Sequence, residues 1–213
     1  PMAIEKDILM AAAFEPASTP RLRCELHNAI THFAHSTFEC DMTDPHSIEL
    51  VHFGSKRWAN YFKVVLLGLQ SVLPPEVRRN AHGTIKVLVD GTVPPESSLS
   101  SSAAMTTCSS IVILTALKAL HVVPRKVIAD VACHSERLVG VHSGGMDQAV
   151  SVFGQRDKAL FVSFAPTLHV SPIELPLGHQ YVFLVTNTMI KSDKKATAPE
   201  RYNLRVVETR LAA

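Results

Sequence analysis

GTVPPESSLSSSAAMTTCSSIVIL, residues 91–114, decides how the rest of the 213-residue chain is read. An apolar strand over residues 85–89 feeds into it, and the turn at Pro94 and Pro95 follows. Three consecutive serines come next, Ser100 to Ser102, and then a long apolar run that reads as a helix. Serine hydroxyls satisfy the free N–H groups in the first turn of a helix. The same N–H groups, with the positive end of the helix dipole, bind phosphate instead. On its own the stretch reads equally as a capped helix or as an anion site.

Composition narrows the class. Hydrophobic residues are 46% and charged residues 19% of the chain, which is globular and long enough to bury a core. A net charge of +2, evenly spread, argues against a nucleic-acid or membrane-surface partner. No apolar run approaches the roughly 18–20 residues needed to span a bilayer, and the first residues do not form a signal peptide. Cys24, Cys40, Cys108 and Cys133 are scattered without a CxxC pair. They read as reduced thiols in a cytoplasmic protein. The abrupt opening on Pro1 and the stop at Ala213 in a helical pattern read as a chain cut at both ends.

The remaining segments follow from periodicity. Residues 8–14 are apolar enough for a strand. After the turn at Pro16 to Pro20, Leu22, Cys24 and Leu26 alternate with Arg23, Glu25 and His27, which predicts a hairpin with one wet face. His27, His32 and His35 lack a completing carboxylate or cysteine, so a polar strand edge is expected there rather than a metal site. Residues 36–55 read as a loop or weak strand. Trp58, Tyr61, Phe62, Val65, Leu66 and Leu69 then fall at helical spacing, stopped at Pro74 and Pro75.

A second helix runs from Pro124 towards Gly140, with Val127, Ile128, Val131, Ala132, Leu138 and Val139 on its apolar face. Glu136 lies in its last full turn, where the dipole disfavours an anion. Either a nearby cation or a salt bridge to Arg137 or Lys126 accounts for that. In the following Gly144-Gly145-Met146-Asp147 loop, the glycines permit close approach of a ligand or simply positive φ angles. Asp147 reads as a helix cap or as a free carboxylate. Three strands are expected over residues 159–164, 168–174 and 181–186, the last buried and central because it is continuously apolar. A basic loop covers residues 191–198. From Glu200 a helix carries Leu204, Val207 and Leu211 on one face.

The order of these features resembles the GHMP superfamily of sugar kinases and, within it, the galactokinase family. SSLSSSAA (residues 97–104) is similar to that family's P-x-x-x-G-L-S-S-S-A phosphate loop. GGMDQ (residues 144–148), with the upstream SER (residues 135–137), resembles its active-site segment. KRWANYFK (residues 56–63) and YNLRVVETRLAA (residues 202–213) are similar to segments of galactokinases and N-acetylgalactosamine kinases. PMAIEKDILMA (residues 1–11) resembles the strand that follows the family's sugar-binding signature.

The resemblance implies an α+β fold of the ribosomal-protein-S5-domain-2-like type, with helices on a mixed, mostly antiparallel sheet. It implies an N-terminal domain over residues 1–186, lacking its first motif, and the start of a second lobe over 187–213. It further implies transfer of the γ-phosphoryl group of ATP to the C1 hydroxyl of galactose or a related hexose, with Mg²⁺ as cofactor. Asp147 would then be the catalytic base. Trp58 would lie near the adenine, and Ser97, Ser98, Leu99, Ser100, Ser101 and Ser102 would wrap the ATP phosphates. Gly144, Asp147 and Tyr202 would contact the sugar, and Ser102 and Glu136 would hold the metal.

Two departures from the family pattern stand out. The signature with a catalytic arginine and a Glu-His-x-Asp run is absent. In the phosphate loop, Ser98 replaces the expected glycine and Glu96 occupies a position usually Gly or Ser. If the backbone there has φ > 0, serine costs about 1–2 kcal/mol. Glu96, if it points inward, repels a triphosphate. These departures leave a second expectation: a non-catalytic galactose- and ATP-binding regulator, with a regulatory protein partner.

Overall fold

The central sheet is built from strands whose alternate side chains are buried. In the computed structural model, which describes residues 1–175, 183–186, 188–189, 200 and 203–212, these are β1 (Ile8–Glu15), β2 (Leu22–Asn28), β3 (Ser36–Cys40) and β4 (Gly83–Gly91). Their order is β1-β4-β2-β3. β4 runs antiparallel to β1, pairing Ile85 with Phe14, and parallel to β2, pairing Val87 with Leu26. β2 and β3 are antiparallel. The sheet is therefore mixed and mostly antiparallel, as expected.

The expected hairpin between β1 and β2 does not form, because β4 lies between them. A central strand must satisfy its backbone groups on both edges. β4, with Ile85, Val87 and Val89 all buried, gains most from that place. β1 is mostly exposed, with Leu9 at 59%, and takes the edge.

Five helices follow in chain order: α1 (Asn60–Gln70), α2 (Pro75–Arg79), α3 (Ser101–Ala116), α4 (Arg125–Arg137) and α5 (Met146–Phe153). One hydrophobic core joins Leu22, Cys24 and Leu26 of β2 and Ile85, Val87 and Val89 of β4 to these helices. α1 contributes Phe62, Leu66 and Leu69, α3 contributes Ile113 and Leu114, and α4 contributes Ile128 and Val131. Arg23, Glu25, Glu39, Lys86 and Glu15 form exposed ion pairs, worth little to stability. β5 (Lys158–Ser163) and β6 (His169–Glu174) make a separate antiparallel ribbon, and α6 spans Asn203–Ala212.

α1 and α4 pack unusually close at Gly68, where an added Cβ would collide with Ser135 Oγ and approach Val131 Cγ1 at 3.0 Å. That explains a glycine inside a helix. The Gly68→Ala variant gains up to about 1 kcal/mol of helix propensity but overpacks the contact by about 1–3 kcal/mol. A lower Tm in a thermal melt is the expected result.

The expected buried strand over residues 181–186 is not found. Residues 183–186 form no strand and are exposed, Leu184 by 88%. A continuous apolar run is buried only where both its faces are covered, and no described strand pairs with this one. Tyr181, Val182 and the basic loop of residues 191–198 lie outside the described residues. α6 is helical as expected, but Val207 and Leu211 on its apolar face are exposed. Among the described residues no helix is long and apolar enough to cross a membrane.

Candidate active site

The start of α3 does not fit the capped-helix reading of its serines. Ser100, the N-cap residue, has φ 59° and ψ 35° and makes no side-chain capping bond. A capping serine holds an extended backbone, so the capped-helix reading does not describe this terminus. Every second residue leading into it is left-handed: Glu96 at φ 57°, Ser98 at φ 60° and Ser100 at φ 59°. Where left-handed residues alternate with right-handed ones, successive backbone N–H groups form a concave nest that suits an anion. Each of these L-residues carries a left-handed strain of about 1–2 kcal/mol. The Ser97 hydroxyl donates to Pro94 O at 2.7 Å and so tightens the turn.

This loop forms one side of a cavity of about 520 Å³, within the usual range for small-molecule sites. Ser98, Ser100, Ser101 and Ser102 line it together with Glu96. Ile8, Phe33, Trp58, Tyr61 and Met105 supply an apolar, aromatic wall. Trp58 is 7% exposed, and its indole Nε1 donates to Ala34 O at 2.8 Å, which fixes the ring. A flat base fits such a wall, and phosphates fit the serine side. Ser97 and Leu99 do not line the cavity.

Ser98→Gly removes the strain at one nest position, partly offset by glycine's larger unfolded-state entropy of about 0.5–1 kcal/mol. The net gain of about 1 kcal/mol is expected to raise Tm by about 2–4 °C. Glu96→Ser removes an exposed negative charge from the cavity wall. Tighter ATP binding at low salt is expected, with the gain shrinking as ionic strength rises; calorimetric titration at two salt concentrations reads both.

A second cluster lies at the end of α4. Glu136 is only 2% exposed, yet neither Arg137 nor Lys126 pairs with it among the described residues. Its Oε2 instead accepts from Ser143 Oγ at 2.9 Å and from Gln148 Nε2 at 2.6 Å. Its Oε1 accepts nothing from a described residue. A buried carboxylate with neutral donors and no counter-cation is an incomplete arrangement, and a hard divalent cation would complete it. Ser102 stands in the first turn of α3, which packs against α4. One hydroxyl and one carboxylate fit a cation that keeps its other sites for water and phosphate. Among the described residues no three His, Cys, Asp or Glu side chains gather around a metal-sized space. His27 and His35 are stacked with ring centroids 4.8 Å apart.

The loop after α4 carries Gly144 and Asp147. Gly145 requires its glycine, because its φ is +88° and a Cβ would meet Cys133 Sγ at 3.0 Å. Gly144 has no positive φ and faces open space, so nothing among the described residues requires glycine there. Asp147 is the second residue of α5 rather than its cap, which is Gly145. Its carboxylate is partly exposed and accepts no hydrogen bond among the described residues. Val141, at the start of this loop, lines the cavity, whereas Glu136, Gly144 and Asp147 do not.

Sequence reasoning missed three residues here. Ser143 and Gln148 hold Glu136, and Asn203 of α6 holds the loop from outside. The Asn203 side chain donates through Nδ2 to Gly140 O at 3.2 Å and accepts from His142 N at 3.2 Å. Ser143 was signalled only by adjacency to Gly144, while Gln148 and Asn203 lay inside the quoted GGMDQ and YNLRVVETRLAA segments without a role of their own. Tyr202 itself lies outside the described residues.

From α1 through the serine loop to the end of α5, residues 60–155 match the family model described as "GHMP kinases N terminal domain". The chain thus carries the N-terminal domain of a GHMP kinase, with the α+β fold of that family. Along its whole length it is homologous to galactokinases. It is 32% identical over 221 residues to the galactokinase of Schizosaccharomyces pombe, covering 100% of this chain and 41% of that protein. It is 35% identical over 219 residues to that of Candida albicans, covering 100% and 40%. Lactococcus lactis galactokinase, solved in complex with galactose, superposes with a TM-score of 0.70 over 99% of this chain and 49% of that one. At 22% identity that match speaks for the fold alone. The chain spans about two fifths of the length of the curated relatives it matches.

Proposed function

We propose that this chain is the ATP- and sugar-binding lobe of a galactokinase, which moves the γ-phosphoryl group of ATP to the C1 hydroxyl of galactose. The observation that carries the reading is the left-handed backbone at Glu96, Ser98 and Ser100 beside an aromatic-walled cavity, a pattern that suits an anion-binding nest. Trp58 flanks the adenine, and the backbone of Ser98, Ser100, Ser101 and Ser102 cradles the phosphates, without Ser97 and Leu99, which do not line the cavity. Gly144, Asp147 and Tyr202 contact the sugar. Asp147 takes the proton from the anomeric hydroxyl as that oxygen attacks the γ-phosphorus, and ADP leaves. Ser102 and Glu136 hold Mg²⁺, which when bound neutralises charge on the phosphates. Residues 1–186 make the N-terminal domain and residues 187–213 begin the second lobe. The four unpaired cysteines suit the cytoplasm.

The test is ATP-dependent formation of galactose 1-phosphate by the complete gene product carrying this chain. Absence of turnover with both galactose and N-acetylgalactosamine would overturn the assignment. Glu96 on the cavity wall favours one other reading, a sugar- and ATP-binding regulator. Binding of both ligands without turnover, with sugar-dependent capture of a protein partner, would select it.

A further inference from the structure

Ser143 and Gln148, the donors to Glu136 Oε2, are the residues immediately before Gly144 and immediately after Asp147. One carboxylate oxygen therefore ties down both ends of the Gly144–Asp147 stretch. Between the ties, Gly144 faces open space and the Asp147 carboxylate accepts no hydrogen bond among the described residues. The ties themselves are buried: Glu136 is 2% exposed, Ser143 6% and Gln148 0%. Water does not readily replace hydrogen bonds in such a place. An ionised carboxylate only accepts, so the Gln148 amide must present its Nε2. Its Oε1 is left buried without a partner, and the side chain is committed to Glu136 alone among the described residues.

We propose that Ser143 and Gln148 are positioning residues that couple the cation and nucleotide side of the site to its sugar side. The inference rests on the reading of Glu136 as a cation ligand and of Gly144 and Asp147 as sugar contacts. A cation arriving with the nucleotide fixes the Glu136 carboxylate, and the two hydrogen bonds pass that constraint to both ends of the sugar loop. The loop is then held before the sugar arrives, so sugar binds more tightly. By linkage, bound sugar strengthens nucleotide binding by the same factor.

Galactose affinity of the complete gene product is measured by calorimetry alone and with saturating Mg²⁺ and a non-hydrolysable ATP analogue. The ratio of the two affinities is expected to be roughly fivefold or more in the unaltered protein, and to fall to about one when Mg²⁺ is omitted. In Ser143→Ala and Gln148→Leu the ratio is expected to fall below about twofold. Asn203→Ala is the control, because Asn203 holds the same loop at Gly140 and His142 without touching Glu136. It is expected to weaken galactose binding equally in both conditions and leave the ratio unchanged.

If Ser143→Ala and Gln148→Leu behave like Asn203→Ala, the two residues are merely structural and the inference is overturned. A ratio of one in an unaltered protein that binds both ligands overturns it as well. Failure to bind either ligand overturns the proposed function and the inference together. Should Gln148→Leu not fold, Ser143→Ala, which loses a single hydroxyl, decides the matter.

Discussion

Replacing Asp147 by alanine is expected to lower kcat for sugar phosphorylation by about 10²–10⁴-fold, the range attributed to a positioned general base. Stability should hardly change. The Asp147 carboxylate is partly exposed and accepts no hydrogen bond among the described residues, so removing it strands no buried group. What is lost is the favourable place of an anion in the first turn of α5, worth about 0.3–1 kcal/mol. For a chain of this size that is a Tm decrease of at most about 4 °C. Galactose affinity should weaken modestly, because a contact goes while the loop stays tied through Ser143 and Gln148. The Asp147→Asn variant keeps the shape and loses only the basicity, so it should lose turnover almost as fully. Unchanged kcat in both variants would remove Asp147 from the chemistry.

The sheet was legible where burial depends on local alternation. Leu22, Cys24 and Leu26 are buried, and Arg23 and His27 between and beside them are exposed, as period two requires. Strand neighbours were not legible. Nothing in residues 8–28 announces that β4, more than fifty residues later, lies between β1 and β2. The apolar run at residues 183–186 misled for a related reason, since hydrophobicity registers a wish for burial and not the presence of a cover.

The site was legible in its spacing more than in its geometry. A glycine at position 98 would have advertised a left-handed backbone, but Ser98, Glu96 and Ser100 adopt it without that signal. Glu136 stood out because an anion sits badly at a helix C-terminus. Its partners did not stand out, because Ser143 and Gln148 are ordinary residues whose hydrogen bonds span 7 and 12 positions.

Glu136 is also where stability and function separate most clearly. Glu136→Ala leaves the Ser143 hydroxyl and the Gln148 amide unpaired beside an amide oxygen that already lacks a partner. Each stranded buried group costs about 1–3 kcal/mol. A loss of about 3–5 kcal/mol, and a fall in Tm of about 10 °C or more, is expected. Glu136→Gln retains an acceptor oxygen of the same reach, so its structural loss should be nearer 1 kcal/mol. It nevertheless removes a buried charge that no described cation pairs with. Nucleotide binding by the Gln variant should therefore lose its dependence on Mg²⁺, read as the ratio of affinities with the metal and with chelator. A Gln variant that keeps that dependence would show that Glu136 is not a cation ligand. An Ala variant that melts with the unaltered protein would show instead that the two hydrogen bonds contribute nothing to the fold. The two failures are independent, because one concerns the charge of Glu136 and the other its shape.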